Sequence, residues 1–215
     1  MKPFDKENLI YQDNHILIAN KPANLLTQPN YGLKDNLQSE VIAWLKKMEN
    51  KQTVFLHAVH RLDKEVSGMV LFAKSSKALK RLHEMIRNRE IERVYLAVIE
   101  GKIRPKEAIL VHYLKHGSHR ALIVKKEDKG GKEAVLSYKV IEENNSRSLL
   151  QITLKTGRYH QIRMQLSHVG YPIIGDKKYG SKLEVGRILL HHHRLTFMHP
   201  VKKETMTFIC PIDFF

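Results

Sequence analysis

The stretch His60-Arg61-Leu62-Asp63-Lys64-Glu65-Val66-Ser67-Gly68, followed at once by Met69-Val70-Leu71-Phe72-Ala73, decides the reading of this chain. An unbroken apolar run bounded by polar residues predicts a strand covered on both faces. The polar residues ahead of it predict a turn. A rigid strand aims the loop that feeds it, and binding and catalytic groups favour loops held in that way. Asp63 is therefore the first candidate for a chemical role. Taken alone, an Asp in a polar loop reads first as a turn cap paired with Arg61 or Lys64.

Outward from this segment, Leu9-Ile10-Tyr11 and Ile16-Leu17-Ile18-Ala19 predict a hairpin that ends at the turn Lys21-Pro22-Ala23-Asn24. Asp35 or Asn36 caps a helix in which Leu37, Val41, Trp44, Leu45 and Met48 recur at helical spacing. After the central strand, Ser75 or Ser76 caps a second helix, with Leu79, Leu82, Met85 and Ile86 as its apolar stripe beside a basic face. Arg93 to Gly101 alternates too little for an exposed strand and is expected to be central. From 108 to 154, β-branched and aromatic runs broken by Gly117, Gly130-Gly131 and Asn144-Asn145 predict an antiparallel meander. A short helix from about His160 to Val169 follows, stopped by Gly170 and Pro172. Runs of strands with helices beside them, rather than regular βαβ units, predict an α+β fold.

The bulk properties narrow the function. With 215 residues, one domain or one bilobed domain is expected. Hydrophobic residues at 42% and charged residues at 27% match ordinary globular usage, so a soluble folded protein is expected. No apolar run approaches the roughly 18 residues that cross a bilayer, and Met1-Lys2-Pro3-Phe4-Asp5 has no export signal, which predicts a cytoplasmic protein without a membrane partner. The single cysteine, Cys210, fits a reducing compartment and reads as a packed side chain. Charge says the most: 37 Lys and Arg against 22 Asp and Glu give +15. The excess is dispersed in clusters such as Lys77/Lys80-Arg81, Lys125-Lys126/Lys129/Lys132 and Lys177-Lys178, which suits a broad face for a polyanion, with RNA or DNA the natural partner.

Two further segments hold polar side chains where chemistry needs them. In Thr156-Gly157-Arg158-Tyr159-His160-Gln161-Ile162-Arg163, Arg163 neighbours the stripe residue Ile162 and is free to face a cleft or a phosphate. Ile173-Ile174-Gly175-Asp176-Lys177-Lys178-Tyr179-Gly180 reads as a tight turn with basic residues outside, and Asp176 as a structural member of it.

Together these residues resemble the RluA-type pseudouridine synthases over most of the chain. Lys21-Pro22-Ala23-Asn24-Leu25-Leu26 resembles the first motif of that family, and His60-Arg61-Leu62-Asp63 through Ser67-Gly68 the motif of its catalytic aspartate. Arg93-Val94-Tyr95-Leu96-Ala97 resembles the motif of its active-site tyrosine, and Thr156-Gly157-Arg158 with His160-Gln161-Ile162-Arg163 that of its basic residue. Val66 and Tyr159 stand where that family usually has Thr. The resemblance implies a single bilobed catalytic domain over 1–215, with no separate N-terminal RNA-binding domain. Its mixed, largely antiparallel central sheet would lie in two halves flanked by helices. It implies Asp63, Tyr95 and Arg163 as catalytic residues, with His60, Arg61, Arg158, His160 and Gln161 binding substrate. It further implies ribosomal or transfer RNA as partner, no cofactor and no metal. A monomer is the default expectation.

The implied chemistry explains why one carboxylate suffices. Glycoside hydrolysis normally uses two, because water must be activated as well as the leaving group. Isomerising uridine needs no water: the N1–C1′ bond breaks, the uracil turns, and C5 joins C1′ before losing its proton. Asp63, with an ordinary pKa of about 3.9, must be ionised, and Arg163 is the cation the resemblance supplies. Tyr95 is expected to stack on the uracil, since a phenol of pKa about 10 is a poor base. A uridine in folded RNA must be flipped to reach the carboxylate, and Arg61 reads either as the filler of the gap or as a local ion-pair partner. The histidines His57, His60 and His191-His192-His193 invite a metal reading, but consecutive strand residues point to alternating faces and no carboxylate or cysteine completes a set. From another class, a non-catalytic RNA-binding or ribosome-assembly protein would share the charge. The presence of Asp63, Tyr95 and Arg163 together speaks for the enzyme.

Overall fold

The structure is a computed structural model that describes residues 4–30 and 35–215; Met1 to Pro3, part of the expected leaderless start, lie outside the described residues. In chain order the strands are β1 (Leu9–Gln12), β2 (Ile16–Lys21), β3 (His57–Ala58), β4 (Ser67–Ala73), β5 (Glu92–Glu100), β6 (Glu107–His116), β7 (Ala121–Val124), β8 (Lys132–Glu143), β9 (Arg147–Leu154), β10 (Leu190–Met198) and β11 (Thr205–Ile209). The helices are α1 (Leu37–Glu49), α2 (Ser76–Arg87) and α3 (Gln161–His168). Two compact units result: residues 1–91 with 194–210, and residues 92–193 with 211–215.

In the first unit β2 pairs antiparallel with β1 on one side and β4 on the other, in the register Ile16↔Ala73 to Lys21↔Gly68. All of β4 is buried, as an apolar run with covered faces requires. Ile16, Ile18, Met69, Leu71 and Ala73 share one face and pack with Ala78 and Leu82 of α2, with Leu195 and Phe197 of β10, and with Cys210. Each such large aliphatic or aromatic side chain contributes roughly 1.5–3 kcal/mol by leaving water. Cys210 is 3% exposed, the packed residue expected of it. Helix α1 starts where Asn36 accepts a hydrogen bond from the Ser39 amide, and α2 where Ser75 accepts from that of Ala78. Met48 corrects the expected stripe of α1: it lies in the last turn, 63% exposed, while Leu37, Val41 and Leu45 are buried.

In the second unit β5 pairs with β9, β9 with β8, β8 with β6 and β6 with β7, all antiparallel. This is a correction to the expected meander. The tight turn Gly117 to Arg120 folds β7 onto the last residues of β6, His116 against Ala121 and Tyr113 against Val124. That leaves the other edge of β6 for β8, so β7 sits at the margin. A four-residue strand flanked by Lys125 and Lys126 is a blunt edge that resists pairing with another chain. Residues 94–99 of β5 are buried, the central strand that its poor alternation predicted. Both units mix strands and helices, so the fold is α+β.

Candidate active site

The loop from Val59 to Val66 hangs between β3 and β4 and is pinned on both sides of Asp63. Leu62 and Val66 are buried pegs, and the Asp63 carbonyl accepts the Val66 amide at 3.1 Å to close the turn. Thr27 Oγ1 holds Leu62 twice, accepting its amide and donating to its carbonyl, each at 3.0 Å. On the other side, Lys21 Nζ donates to the carbonyls of Pro22 (2.9 Å), Leu25 (2.7 Å) and Lys64 (3.0 Å). An ammonium has three protons, and these acceptors match them. Burial pulls Lys21 down to about 7, while the nearby carboxylates of Asp63 and Glu65 act in the opposite direction. Lys21 thus ties the first motif to the aspartate loop, a role the sequence left unread. His60 faces inward enough for Nε2 to accept the Leu71 amide at 3.2 Å, and Arg61 is exposed.

Tyr95, on β5 of the second unit, is 6% exposed, and its ring lies 4.6 Å from that of His192 at an interplanar angle of 18°. The strand geometry expected for the triple histidine holds: His192 meets Tyr95 while His191 lies edge-on to Phe214.

Helix α3 organises the basic motif. Gln161 is buried and its amide is spent internally. Its Oε1 accepts from Thr156 Oγ1 at 2.8 Å and from the Arg158 amide at 3.0 Å, and its Nε2 donates to the Val135 carbonyl at 3.2 Å. Arg158 is exposed and donates Nε to the Glu133 carbonyl at 2.8 Å. His160 is left-handed, at φ 50° and ψ 28°, a conformation costly for a residue with a Cβ.

Arg163 differs from the open side chain expected of it: it is 2% exposed. Its Nε and Nη2 donate to Asp176 Oδ2 and Oδ1 at 2.7 and 3.0 Å, a forked pair with a carboxylate that is itself 1% exposed. The reason is geometric, since the turn before Lys177 folds Asp176 back under α3 while Lys177 and Lys178 stay outside. The guanidinium also lies over the Tyr179 ring, 5.2 Å from its centroid. Burial pushes the Tyr179 phenol up to about 12, so it keeps its proton. Its oxygen accepts the Ala121 amide at 2.8 Å and shares a hydrogen bond with His160 Nδ1, also at 2.8 Å. The contacts made by Lys21 in the first unit, and by Asp176, Tyr179 and His192 in the second, are ones that sequence reasoning did not anticipate.

Comparison with known proteins places this architecture. Two solved structures share the fold: human RNA pseudouridylate synthase domain containing 4, with TM-score 0.82 at 22% identity over 96% of this chain and 88% of that one, and human RNA pseudouridylate synthase domain containing 1, with TM-score 0.77 at 23% identity over 100% and 88%. The family model for RNA pseudouridylate synthase matches residues 15–168. Among curated proteins, the ribosomal large subunit pseudouridine synthase C of Buchnera aphidicola subsp. Baizongia pistaciae is 33% identical over 96% of this chain and 67% of its own length. The uncharacterized RNA pseudouridine synthase YhcT of Bacillus subtilis (strain 168) is 34% identical over 95% and 68%. This chain therefore belongs to the RNA pseudouridylate synthase family. It is an isomerase that acts on RNA, and the non-catalytic reading is not favoured.

Proposed function

We propose that the chain converts uridine to pseudouridine in large-subunit ribosomal RNA, with Asp63 as the carboxylate that starts the reaction and Tyr95 and Arg163 as further catalytic residues. Relatives named for the large ribosomal subunit support the substrate. The observation that carries Asp63 is the bracing of its loop, with Thr27 holding Leu62 on one side and Lys21 holding Lys64 on the other. A carboxylate so fixed meets the substrate without losing loop entropy, the preorganisation that catalysis needs.

In this reading the N1–C1′ bond breaks and C5–C1′ forms within one nucleotide, so reactant and product are isomers and no group is supplied from outside. Tyr95 presents an aromatic face to the captive uracil, backed by the His192 ring. Arg163 supplies positive charge on α3, and Asp176 holds its guanidinium to one orientation. His60, Arg61, Arg158, His160 and Gln161 complete the RNA-binding set, the buried Gln161 by shaping the turn that carries Arg158. The enzyme works as a cytoplasmic monomer with no metal or cofactor.

The test uses ribosomal RNA and transfer RNA transcripts carrying tritium at uridine C5. Release from the ribosomal transcript alone, lost in Asp63→Asn while RNA affinity persists, is expected. Release from the transfer RNA transcript alone would overturn the substrate, undiminished release by Asp63→Asn would overturn the residue, and sensitivity to a chelator would overturn the metal-free reading.

A further inference from the structure

Beyond the catalytic residues, the second unit holds a stack of rings for which the isomerisation itself has no use. The His116 ring lies 4.2 Å from that of Tyr159 at 28°, and the Tyr159 ring 3.7 Å from that of His160 at 24°. His160 in turn meets Tyr179 edge-on at 5.6 Å. The inner end is fixed, because His160 is buried and bonded to Tyr179, whose oxygen also holds the Ala121 amide. The outer end is open, since His116 is exposed at the end of β6 and Tyr159 is 37% exposed. The left-handed backbone at His160 is a strained way to start α3, and no side chain caps the helix there. Strain of this sort persists where surrounding structure imposes it, and it gathers at functional positions.

Charge surrounds the open end. His119 and Arg120 form the exposed tip of the β6–β7 turn next to His116, and Arg158 is exposed next to Tyr159. Aromatic faces in a cationic setting are the means by which proteins bind unpaired nucleotides, the rings stacking on bases while the cations meet phosphates.

We propose that the His116–Tyr159–His160 column is a stacking site for an unpaired base of the RNA that carries the target uridine. The base continues the column on the solvent side of His116, and its flanking phosphates meet Arg120 and Arg158. The site rests on the reading of the chain as an enzyme of RNA, and it makes the protein select single-stranded neighbours of the target, because a paired base in a duplex offers no free face. Membership of a family that acts on RNA makes RNA the occupant that this cationic rim meets.

The probe is a single-stranded oligoribonucleotide of about ten nucleotides containing 2-aminopurine, compared with the same strand annealed to its complement. The intact protein is expected to bind the single strand and quench its fluorescence. His116→Ala, at an exposed position, should weaken that binding by about tenfold and abolish quenching, with duplex affinity unchanged. His116→Phe should restore both, and Tyr159→Leu, which keeps apolar bulk over His160, should behave like His116→Ala. No quenching by the intact protein, unchanged affinity in His116→Ala, an equal loss on the duplex, or failure of Phe to rescue would each overturn the proposal. Binding is read without turnover, so a negative result here leaves the tritium-release assignment standing.

Discussion

Arg163 and Asp176 meet as a two-pronged pair, Nε on Oδ2 at 2.7 Å and Nη2 on Oδ1 at 3.0 Å, with 2% and 1% of their side chains exposed. A guanidinium taken this far from water depends on geometry, because desolvation of both charges offsets much of their attraction. Removing one partner leaves the other buried charge without its match. Asp176→Ala is therefore expected to lose about 3–5 kcal/mol in urea unfolding. Arg163→Lys, which keeps the charge but not the planar fork, should also lose stability. Equal stability of Asp176→Ala and the parent would contradict the pairing.

Lys21 gives a dependence on pH with a definite sign. Burial lowers it from 10.5 to about 7, so between those values the unfolded chain holds a proton that the folded chain has released. Unfolding free energy from this group therefore rises as pH climbs from about 7 toward 10.5, by up to about 1.4 kcal/mol per pH unit, and below about 7 that contribution is gone. Lys21→Met removes the titration along with the three carbonyl contacts. The difference in stability between parent and variant should widen across this alkaline range, measured by denaturant titration at successive pH values. A constant difference would place the Lys21 titration elsewhere.

The Tyr179 hydroxyl joins the start of α3 to β7, accepting from the Ala121 amide and hydrogen-bonded to His160 Nδ1. Tyr179→Phe keeps the ring under Arg163 and deletes only the oxygen. Leaving buried polar partners unsatisfied costs roughly 1–3 kcal/mol, and that loss in thermal or denaturant unfolding is the expected result.

With a net charge of +15, affinity for RNA should fall steeply with salt. If six to ten phosphates are met, the dissociation constant should rise by about three to five decades between about 50 and 200 mM salt. A shallow slope in filter binding would mean that few of the dispersed lysines touch RNA.

What the sequence disclosed follows from the range of the interactions. β4, α1 and α2 were legible because apolar periodicity and capping serines or asparagines are local signals, visible within a few residues. The loop that carries Asp63 was legible as a turn because it runs straight into the apolar residues Met69 to Ala73 of β4. The order β9-β8-β6-β7 was not, since a strand has two edges and the sequence does not say which neighbour takes which. Asp176 read as a structural member of its turn, but its partner could not be named, because Arg163 lies thirteen residues away on another element. Lys21 read only as the start of a turn, because one of the three carbonyls that hold it, that of Lys64, comes from a loop 43 residues away. Met48 kept helical spacing but fell in the final turn, where no opposing surface covers it.

The lone sulfhydryl, Cys210, is packed among Ile16, Leu71 and Phe197 in the interior of the first unit. A maleimide added to the native protein will find it shielded, and will react only when that interior opens. The molecule thus contains its own clock for breathing motions in the half that carries Asp63, readable by mass spectrometry without installing any label.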